Sequence, residues 1–213
     1  MVRNPVGRVS EDELQKDLEK YRLRAIELGA TDAKVITMDK VFIDERVVAK
    51  CAYPKCPGYG TSANCPPYAM NPDQVRNVVK NFRYGIFIKL EMPSQDTAGI
   101  EARKRNLASP YRRKIAEIVA KIEAQAFYDG HYLAVGFGSG SCKSIFCYDK
   151  DCQALVQGQS CLHRLKARSS MEAVGMDCFR MAANVGWDIY PIGRETSPEE
   201  VPYGLRLGLV LID

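Results

Sequence analysis

The sequence predicts an α/β fold in a single domain covering residues 1–213, with a mixed β-sheet flanked by helices and two cysteine-rich, cluster-binding loops. Three observations support this prediction. Short apolar segments of strand length alternate with longer segments of helical periodicity. Hydrophobic residues make up 46% of the chain, which suffices for a real core. Seven of the eight cysteines lie in two short stretches, which predicts two metal-binding loops.

The first helix is predicted from a capping box formed by Ser10 and Glu13, and Gly29 marks its end. Its apolar stripe consists of Leu14, Leu18, Tyr21, Leu23, Ile26 and Leu28. Residues 31–38 predict the first strand, whereas residues 41–50 are consistent with either a strand or a helix.

In the middle of the chain, Asn71 is predicted to cap a helix that begins at Pro72. Its inward-facing side chains are Val75, Val78, Val79 and Phe82. Residues 84–92 predict a buried strand, and residues 98–128 predict a helix interrupted near Pro110. The apolar face of the second half of that helix consists of Ile115, Ile118, Val119, Ile122 and Phe127.

Three further strands are predicted. The short apolar run at residues 132–137 is expected to be a central strand whose carboxyl end opens into the second cysteine loop. Sites at strand carboxyl ends are common in α/β folds. Residues 187–191 and 205–212 are expected to close the sheet.

Between these strands, Ser170 is predicted to cap a helix that bends near Gly175 and ends near Asn184. One face of it carries Met171, Val174, Cys178, Ala182 and Val185. Free cysteine is among the most buried residue types, so a core role for Cys178 is favoured over a ligand role.

The longer cysteine loop, residues 136–164, reads GFGSGSCKSIFCYDKDCQALVQGQSCLHR, with the spacing C-x4-C-x4-C-x8-C. Its cysteines are Cys142, Cys147, Cys152 and Cys161. Thiolates at these short intervals can converge on one soft metal or iron-sulfur centre. Glycines reach φ values that turn several N–H groups toward an anion, so Gly138, Gly140 and Ser141 are candidate cofactor-binding residues.

Three interpretations of this loop compete. An iron-sulfur cluster leads, because three thiols in quick succession and a fourth at a distance resemble cubane ligation. Structural zinc is the first alternative, although its ligands usually form two knuckles separated by a longer finger. Disulfides or free thiols are the second. A phosphate-binding loop is rejected, because Cys142 stands where a glycine is needed before Lys143.

The shorter loop holds Cys51, Cys56 and Cys65, with the spacing C-x4-C-x8-C that the last three cysteines of the longer loop repeat. Overlaying the two loops places Arg46 opposite Cys142, and a guanidinium cannot ligate iron. This site therefore lacks one thiolate, and we favour an external or exchangeable ligand in its place. The internal candidates for that position are Cys178, His163 and Asp73.

Several of these motifs together resemble a prokaryotic family of predicted metal-binding proteins, domain of unknown function 2284. The resemblance covers most of the chain. It is carried by the early cysteines with Tyr59-Gly60 and Cys65-Pro66-Pro67, the turn Gly140-Ser141-Cys142, and Ser170-Met171-Glu172-Ala173 with Gly175. The resemblance implies metal binding, with iron-sulfur clusters as the expected cofactor, and it implies no settled reaction.

Composition limits the remaining possibilities. The net charge of +4 and the pI near 8.6 fall short of a dedicated nucleic-acid binder. A basic segment at residues 103–114 is interpreted as a solvated helix face, with acidic partner proteins as the alternative. No apolar run is long enough for membrane insertion, and the first 15 residues lack a secretory signal, so a cytoplasmic location is expected. Disulfides are disfavoured there.

These observations predict a cytoplasmic iron-sulfur protein with two [4Fe–4S] clusters that exchanges electrons with a redox partner protein and can form a homo-oligomer. We expect its source to be an anaerobic prokaryote, or one that protects such centres from oxygen. One alternative is an enzyme that uses an open iron site on the three-cysteine cluster. The other is a zinc-stapled interaction module.

Overall fold

The computed structural model describes residues 9–213; the first eight residues, on which the expected location partly rests, lie outside them. The strands are β1 (Asp32–Thr37), β2 (Tyr84–Pro93), β3 (Val135–Phe137) and β4 (Tyr203–Ile212). The α-helices are α1 (Glu11–Glu27), α2 (Glu45–Ala52), α3 (Pro72–Val79), α4 (Ser94–Thr97), α5 (Gly99–Lys104), α6 (Ser109–Tyr128), α7 (Cys142–Phe146), α8 (Gln153–Val156) and α9 (Cys178–Asn184). Short 3₁₀ turns lie at Met38–Lys40, Glu172–Val174 and Pro198–Glu200.

The four strands form one sheet in the order β1-β2-β4-β3. Ile86 of β2 lies opposite Val35 of β1 on one side and Val210 of β4 on the other. Gly136 of β3 also lies opposite Val210. The predicted α/β class with one helix-flanked sheet is confirmed, but every strand pair is antiparallel, so the sheet is not mixed in direction.

The predicted central position of residues 132–137 is wrong, because β3 lies at the sheet edge. The ten-residue strands β2 and β4 occupy the centre of the sheet, because their apolar side chains are buried on both faces. The three-residue strand β3 is too short for that position. The carboxyl end of β3 does lead into the longer cysteine loop, as predicted.

Helices cover both faces of the sheet. On one face α1 and α6 pack against Ile86, Ile88 and Val210. On the other face α3, α9 and the residues around the turn Glu172–Val174 pack against Phe87 and Leu209. The helix pair α1 and α6 therefore supports the sheet from the side opposite α3 and α9.

The predicted caps form, although the predicted capping box at Ser10 is not reciprocal. Glu13 donates its backbone N–H to Ser10 Oγ, but its carboxylate accepts the Ser10 hydroxyl rather than the Ser10 backbone N–H. Gly29 follows the helix with φ +95°. Asn71 and Gln74 form a reciprocal capping box at α3. The ambiguous segment 41–50 resolves mainly into α2, which Asp44 caps.

Three apolar predictions are wrong. Leu23 and Ile26 of the predicted α1 stripe are 47% and 37% exposed, because the face of α1 that packs on the core carries Leu14, Leu18, Tyr21 and Ala25 instead. Phe127 is 53% exposed in the last turn of α6, where the neighbouring Ala126 is the buried residue. Residues 187–191 form no strand, because the Trp187 side chain anchors this segment instead. The Trp187 indole donates to Asp32 Oδ2 at 2.7 Å, and its ring lies 4.8 Å from that of Phe87.

The predicted helix from Ser170 divides at Gly175, where φ is +91°, into the 3₁₀ turn Glu172–Val174 and α9. Cys178 at the start of α9 is buried among the apolar residues of the second face, which confirms its predicted core position. Within residues 9–213, no helix is long and apolar enough to cross a membrane.

Candidate metal centre

The shorter cysteine loop begins at the end of α2. Asp44 caps this helix by accepting the Arg46 backbone N–H at 2.8 Å, and hydrogen bonds from Arg46 lower the pKa of Asp44 to about 2. The Arg46 side chain is 89% exposed and pairs with Asp44, so it points away from the cysteines. Cys56 donates its backbone N–H to the Cys51 carbonyl at 2.9 Å, which curls the loop after α2.

The longer cysteine loop begins where β3 ends. Cys142 is the first residue of α7, and Cys147 directly follows that helix. Cys152 precedes α8, and Cys161 accepts the Arg164 backbone N–H at 3.2 Å in a following turn. Short helices and turns thus place each of the four cysteines at the end of a local element.

The four cysteines of the longer loop line one enclosed cavity of about 30 Å³. Side chains of the shorter loop and of the segment after Cys161 complete its wall. The other lining residues are Ser62, Ala63, Asn64, Lys143, Phe146, Ala154, His163 and Ala167. The structure therefore brings together the four thiols that the spacing predicted to converge.

The two cysteine loops touch each other. The Cys65 thiol donates to Ser141 Oγ at 3.3 Å, and Asn64 Nδ2 donates to Cys142 Sγ at 3.5 Å. The Cys142 thiol also lies 3.7 Å from Ser62 Oγ. Burial raises the pKa of the Cys142 thiol, while its hydrogen bonds with Asn64 and Ser62 oppose that rise. Cys142 thus lies at the junction of the two cysteine sets.

Within each set, the thiols are close enough to act on one another electrostatically. Burial raises the pKa of the Cys51 thiol, and the neighbouring Cys56 and Cys65 raise it further. Burial likewise raises the pKa of the Cys147 thiol, with a further rise from Cys161. The Cys65 thiol also raises the pKa of the Cys142 thiol, so the same electrostatic effect links the two loops.

The two loops approach each other through Gly58. A side-chain carbon on Gly58 would lie 3.3 Å from Ser141 Cβ and 3.6 Å from Cys65 Sγ. The backbone N–H of Gly58 also donates to Cys56 Sγ at 3.4 Å. The absent side chain lets the loops meet, and the N–H supplies a donor to a ligand sulfur.

The three glycines before Cys142 serve different purposes. Gly140 has φ +76°, whereas Gly136 and Gly138 do not lie in the left-handed region. The Gly138 N–H donates to the Ser169 carbonyl at 2.9 Å, so this donor is committed to a neighbouring segment. The Ser141 carbonyl accepts the Ser144 hydroxyl at 2.8 Å, while its own hydroxyl faces Cys65. The predicted cofactor contacts of Gly138, Gly140 and Ser141 stay predictions.

A family model described as "Predicted metal-binding protein (DUF2284)" matches residues 34–212. The chain belongs to this family. The matched range includes all eight cysteines, from Cys51 to Cys178. No curated protein and no solved structure matches the chain.

The donor set of this DUF2284 protein fits a sulfur-ligated metal group. Seven thiols lie in two touching loops, and their surroundings supply hydrogen-bond donors to sulfur from the backbone and from Asn64. Cys65 and Cys142 are buried, whereas Cys56 is exposed. The seven thiols of this DUF2284 protein thus range from buried to exposed.

None of the three internal candidates for a fourth ligand joins the shorter loop. Cys178 packs with the apolar core and borders a separate cavity of about 410 Å³ that the other cysteines do not line. His163 stacks on Phe146 with ring centres 5.3 Å apart and lines the cavity of the longer loop. Asp73 is 86% exposed and pairs with Arg76 at 2.7 Å. The shorter loop therefore presents three thiols.

Some residues that shape the site were missed from the sequence. Ser62 and Asn64 lie between two cysteines of the shorter loop, and their polarity was the available signal. Arg113 of the basic segment donates to the Ile145 carbonyl at 2.5 Å and lies over the Phe146 ring at 5.4 Å. The interpretation of that segment as a purely solvated face is too simple, because Arg113 anchors α7.

Proposed function

We propose that this DUF2284 protein is a cytoplasmic iron-sulfur protein that holds two [4Fe–4S] clusters and exchanges electrons with a redox partner protein. One observation supports the proposal: four thiols line a single cavity, three more lie in the neighbouring loop, and the two loops touch through Cys65, Ser141, Asn64 and Cys142. Two adjacent sulfur sites allow electrons to pass between them and onward to the surface.

The spacing of the donors favours clusters over zinc. A structural zinc ion holds its sulfurs about 2.3 Å from one metal atom, so the ligands crowd together. The C-x4-C-x4-C-x8-C intervals of the longer loop do not form the two short knuckles that structural zinc sites use. In a cluster each thiolate binds a different iron atom, so the ligands lie farther apart. The four thiols that line one cavity would supply one ligand to each of four iron atoms.

In this proposal one cluster is held by the thiols of the longer loop, Cys142, Cys147, Cys152 and Cys161. The other is held by Cys51, Cys56 and Cys65. When bound, each cluster supplies one-electron redox chemistry. The chain's own contribution is to donate hydrogen bonds to ligand sulfurs and to exclude water, since both effects set the reduction potential.

A redox partner would find apolar anchors around both loops. The large exposed side chains in and near the two cysteine loops are Tyr53, Tyr68, Tyr148, Val156, Leu162 and Leu165. Aromatic and apolar anchors of this kind are typical of interface cores. The exposed Cys56 lies between Tyr53 and Tyr68 in sequence, so the three-thiol group would be the electron entry or exit point.

Electronic absorption and electron paramagnetic resonance of anaerobically purified protein test this function. We expect a broad brown absorption that bleaches when dithionite reduces the protein, with signals from reduced clusters. An added low-potential electron carrier should exchange electrons with the protein reversibly. Colourless protein that carries zinc would contradict the proposal and favour a zinc-stapled interaction module.

A second candidate function rests on the missing fourth thiol of the shorter loop. An iron atom with an exchangeable ligand there could bind a small substrate as a Lewis acid or reductant. In that case cyanide or a small thiol should perturb the spectrum of one cluster and leave the other unchanged. A spectrum in which both clusters respond equally, or neither does, would remove the support for this candidate.

A further inference from the structure

A cavity of about 410 Å³ lies beside the cysteine loops, between β4, α5, the start of α6 and the turn Glu172–Val174. Among the described residues, three buried side-chain nitrogen or oxygen atoms lack a hydrogen-bond partner. They are Arg112 Nε, Glu172 Oε2 and Arg206 Nε. All three residues line this one cavity.

Buried polar atoms without partners are rare in native proteins, because each loses its hydration without compensation. Three of them around one cavity therefore point to a missing group that pairs with all three. The sequence also indicates that Arg206 is unusual, because this residue interrupts the otherwise apolar strand β4 between Leu205 and Leu207. Nothing in the packing of that strand requires a guanidinium there.

The charges around the cavity favour an anion. Burial lowers the pKa of Arg112, and burial together with repulsion from Arg112 lowers the pKa of Arg206. Glu172 offsets this in part. Asp96 also lines the cavity, but it accepts the Tyr111 hydroxyl at 2.7 Å. Arg103 lines the cavity as well, so three guanidiniums stand against the two carboxylates of Asp96 and Glu172, which leaves a net positive cavity.

We propose that this cavity binds a small organic carboxylate that also carries a hydroxyl or amino group. The ligand carboxylate would accept from Arg112 and Arg206, since guanidinium and carboxylate match in shape and charge. The hydroxyl or amino group would donate to Glu172 Oε2. A volume of about 410 Å³ lies within the range of small-molecule sites.

The free Glu172 oxygen separates this ligand class from a simple inorganic anion. Sulfate is fully deprotonated at neutral pH and offers only acceptor oxygens, so it would face the Glu172 carboxylate with like charge and without a donor. A carboxylate that lacks a donor would pair with the arginines only. The proposed ligand contacts are protein side chains outside the seven loop cysteines, although Glu172 also acts electrostatically on the Cys51 thiol.

Isothermal titration of the anaerobically purified full chain tests the site, with malate, aspartate, succinate and sulfate as probes. Malate or aspartate should bind more tightly than succinate, and sulfate should bind least. Arg206→Gln should weaken binding of the preferred probe about tenfold or more, because a charged hydrogen bond is lost. Arg105→Gln is the matched control: Arg105 is exposed, does not line the cavity, and should leave binding unchanged.

Glu172→Gln tests the donor requirement separately. This variant should make the affinities for malate and succinate more similar, because the acceptor that favours the malate hydroxyl has been weakened. Arg206→Gln should melt no lower than the unaltered protein, since it removes an unpaired buried charge. A lower melting temperature for that variant would indicate that Arg206 has a structural partner and would contradict the proposal.

Three binding results would also overturn the proposed site. The first is that none of the four probes binds at about 10 mM, where even weak specific sites are filled. The second is that binding is equal in Arg206→Gln and Glu172→Gln and in the unaltered chain. The third is that sulfate binds as tightly as malate and aspartate, which would make this a general anion site.

Discussion

Two buried cysteines of nearly equal exposure have different surroundings, and their comparison tests the site at the residue scale. Cys142 is 8% exposed and contacts the polar side chains Ser62 and Asn64, whereas Cys178 is 7% exposed and lies in the apolar core. Burial alone raises the pKa of both thiols, so burial does not distinguish a ligand from a core residue. The neighbouring side chains do.

We expect Cys142→Ala to lose about half of the bound iron, because one of two clusters loses a ligand. Its melting temperature should fall as well, since cluster binding contributes to the free energy of unfolding. Cys178→Ala is the matched control, with the same change at equal burial. It should keep its full iron content and lose only stability, by roughly 1–2 kcal/mol.

Metal analysis and thermal denaturation of the two variants under anaerobic conditions test both expectations. If Cys142→Ala keeps its full iron and melts unchanged, Cys142 is not a ligand. If Cys178→Ala loses a whole cluster, the three-thiol site is closed by the protein. That second result would remove the support for an open iron and leave electron transfer as the better function.

At the scale of elements, the close approach of the two cysteine loops depends on a residue without a side chain. Gly58→Val should push the shorter loop away from Ser141, because even one added carbon would lie 3.3 Å from Ser141 Cβ. We expect lower iron content and a less stable protein. Gly138→Val is the matched control, since no atom lies within 4 Å of an added carbon there.

Iron content and the visible spectrum of the two glycine variants are the measurements. Equal iron in Gly58→Val and Gly138→Val would show that the contact between the loops does not support metal binding. Loss of iron in Gly138→Val alone would instead favour the predicted contact between the Gly138 backbone and the cofactor.

The cap of α3 gives a second test at this scale. Asn71→Ala removes the side chain that accepts the Gln74 backbone N–H at 2.9 Å. Loss of such a cap costs roughly 0.5–2 kcal/mol of the free energy of unfolding. We expect a lower midpoint in chemical denaturation with unchanged iron, because α3 lies outside both cysteine loops. A change in iron content would show that α3 positions the shorter loop.

Among the helices and strands, some features could be predicted from the sequence and others could not. Caps and helix ends such as Ser10, Gly29 and Asn71 were predicted, because they depend on residues within one turn. The edge position of β3 and the irregular segment after Trp187 were missed, because they depend on partners far away in the chain. Alternation and length do not specify which strands become neighbours.

For the whole molecule, some features of the candidate site could be predicted from the sequence and others could not. The spacing of the cysteines predicted which four thiols share a cavity, because short loops restrict where their ends can lie. The contact of Cys65 with Ser141 and the convergence of Arg112, Glu172 and Arg206 were not predictable from local patterns. These groups meet only when the sheet brings distant segments together.

The central claim for the whole molecule is that the seven loop cysteines hold two [4Fe–4S] clusters. Iron and acid-labile sulfide per chain, measured on anaerobically purified protein, test it most directly. We predict about eight iron and about eight sulfide per chain, in equal numbers. Zinc in place of iron, iron without sulfide, or about four of each would contradict the claim.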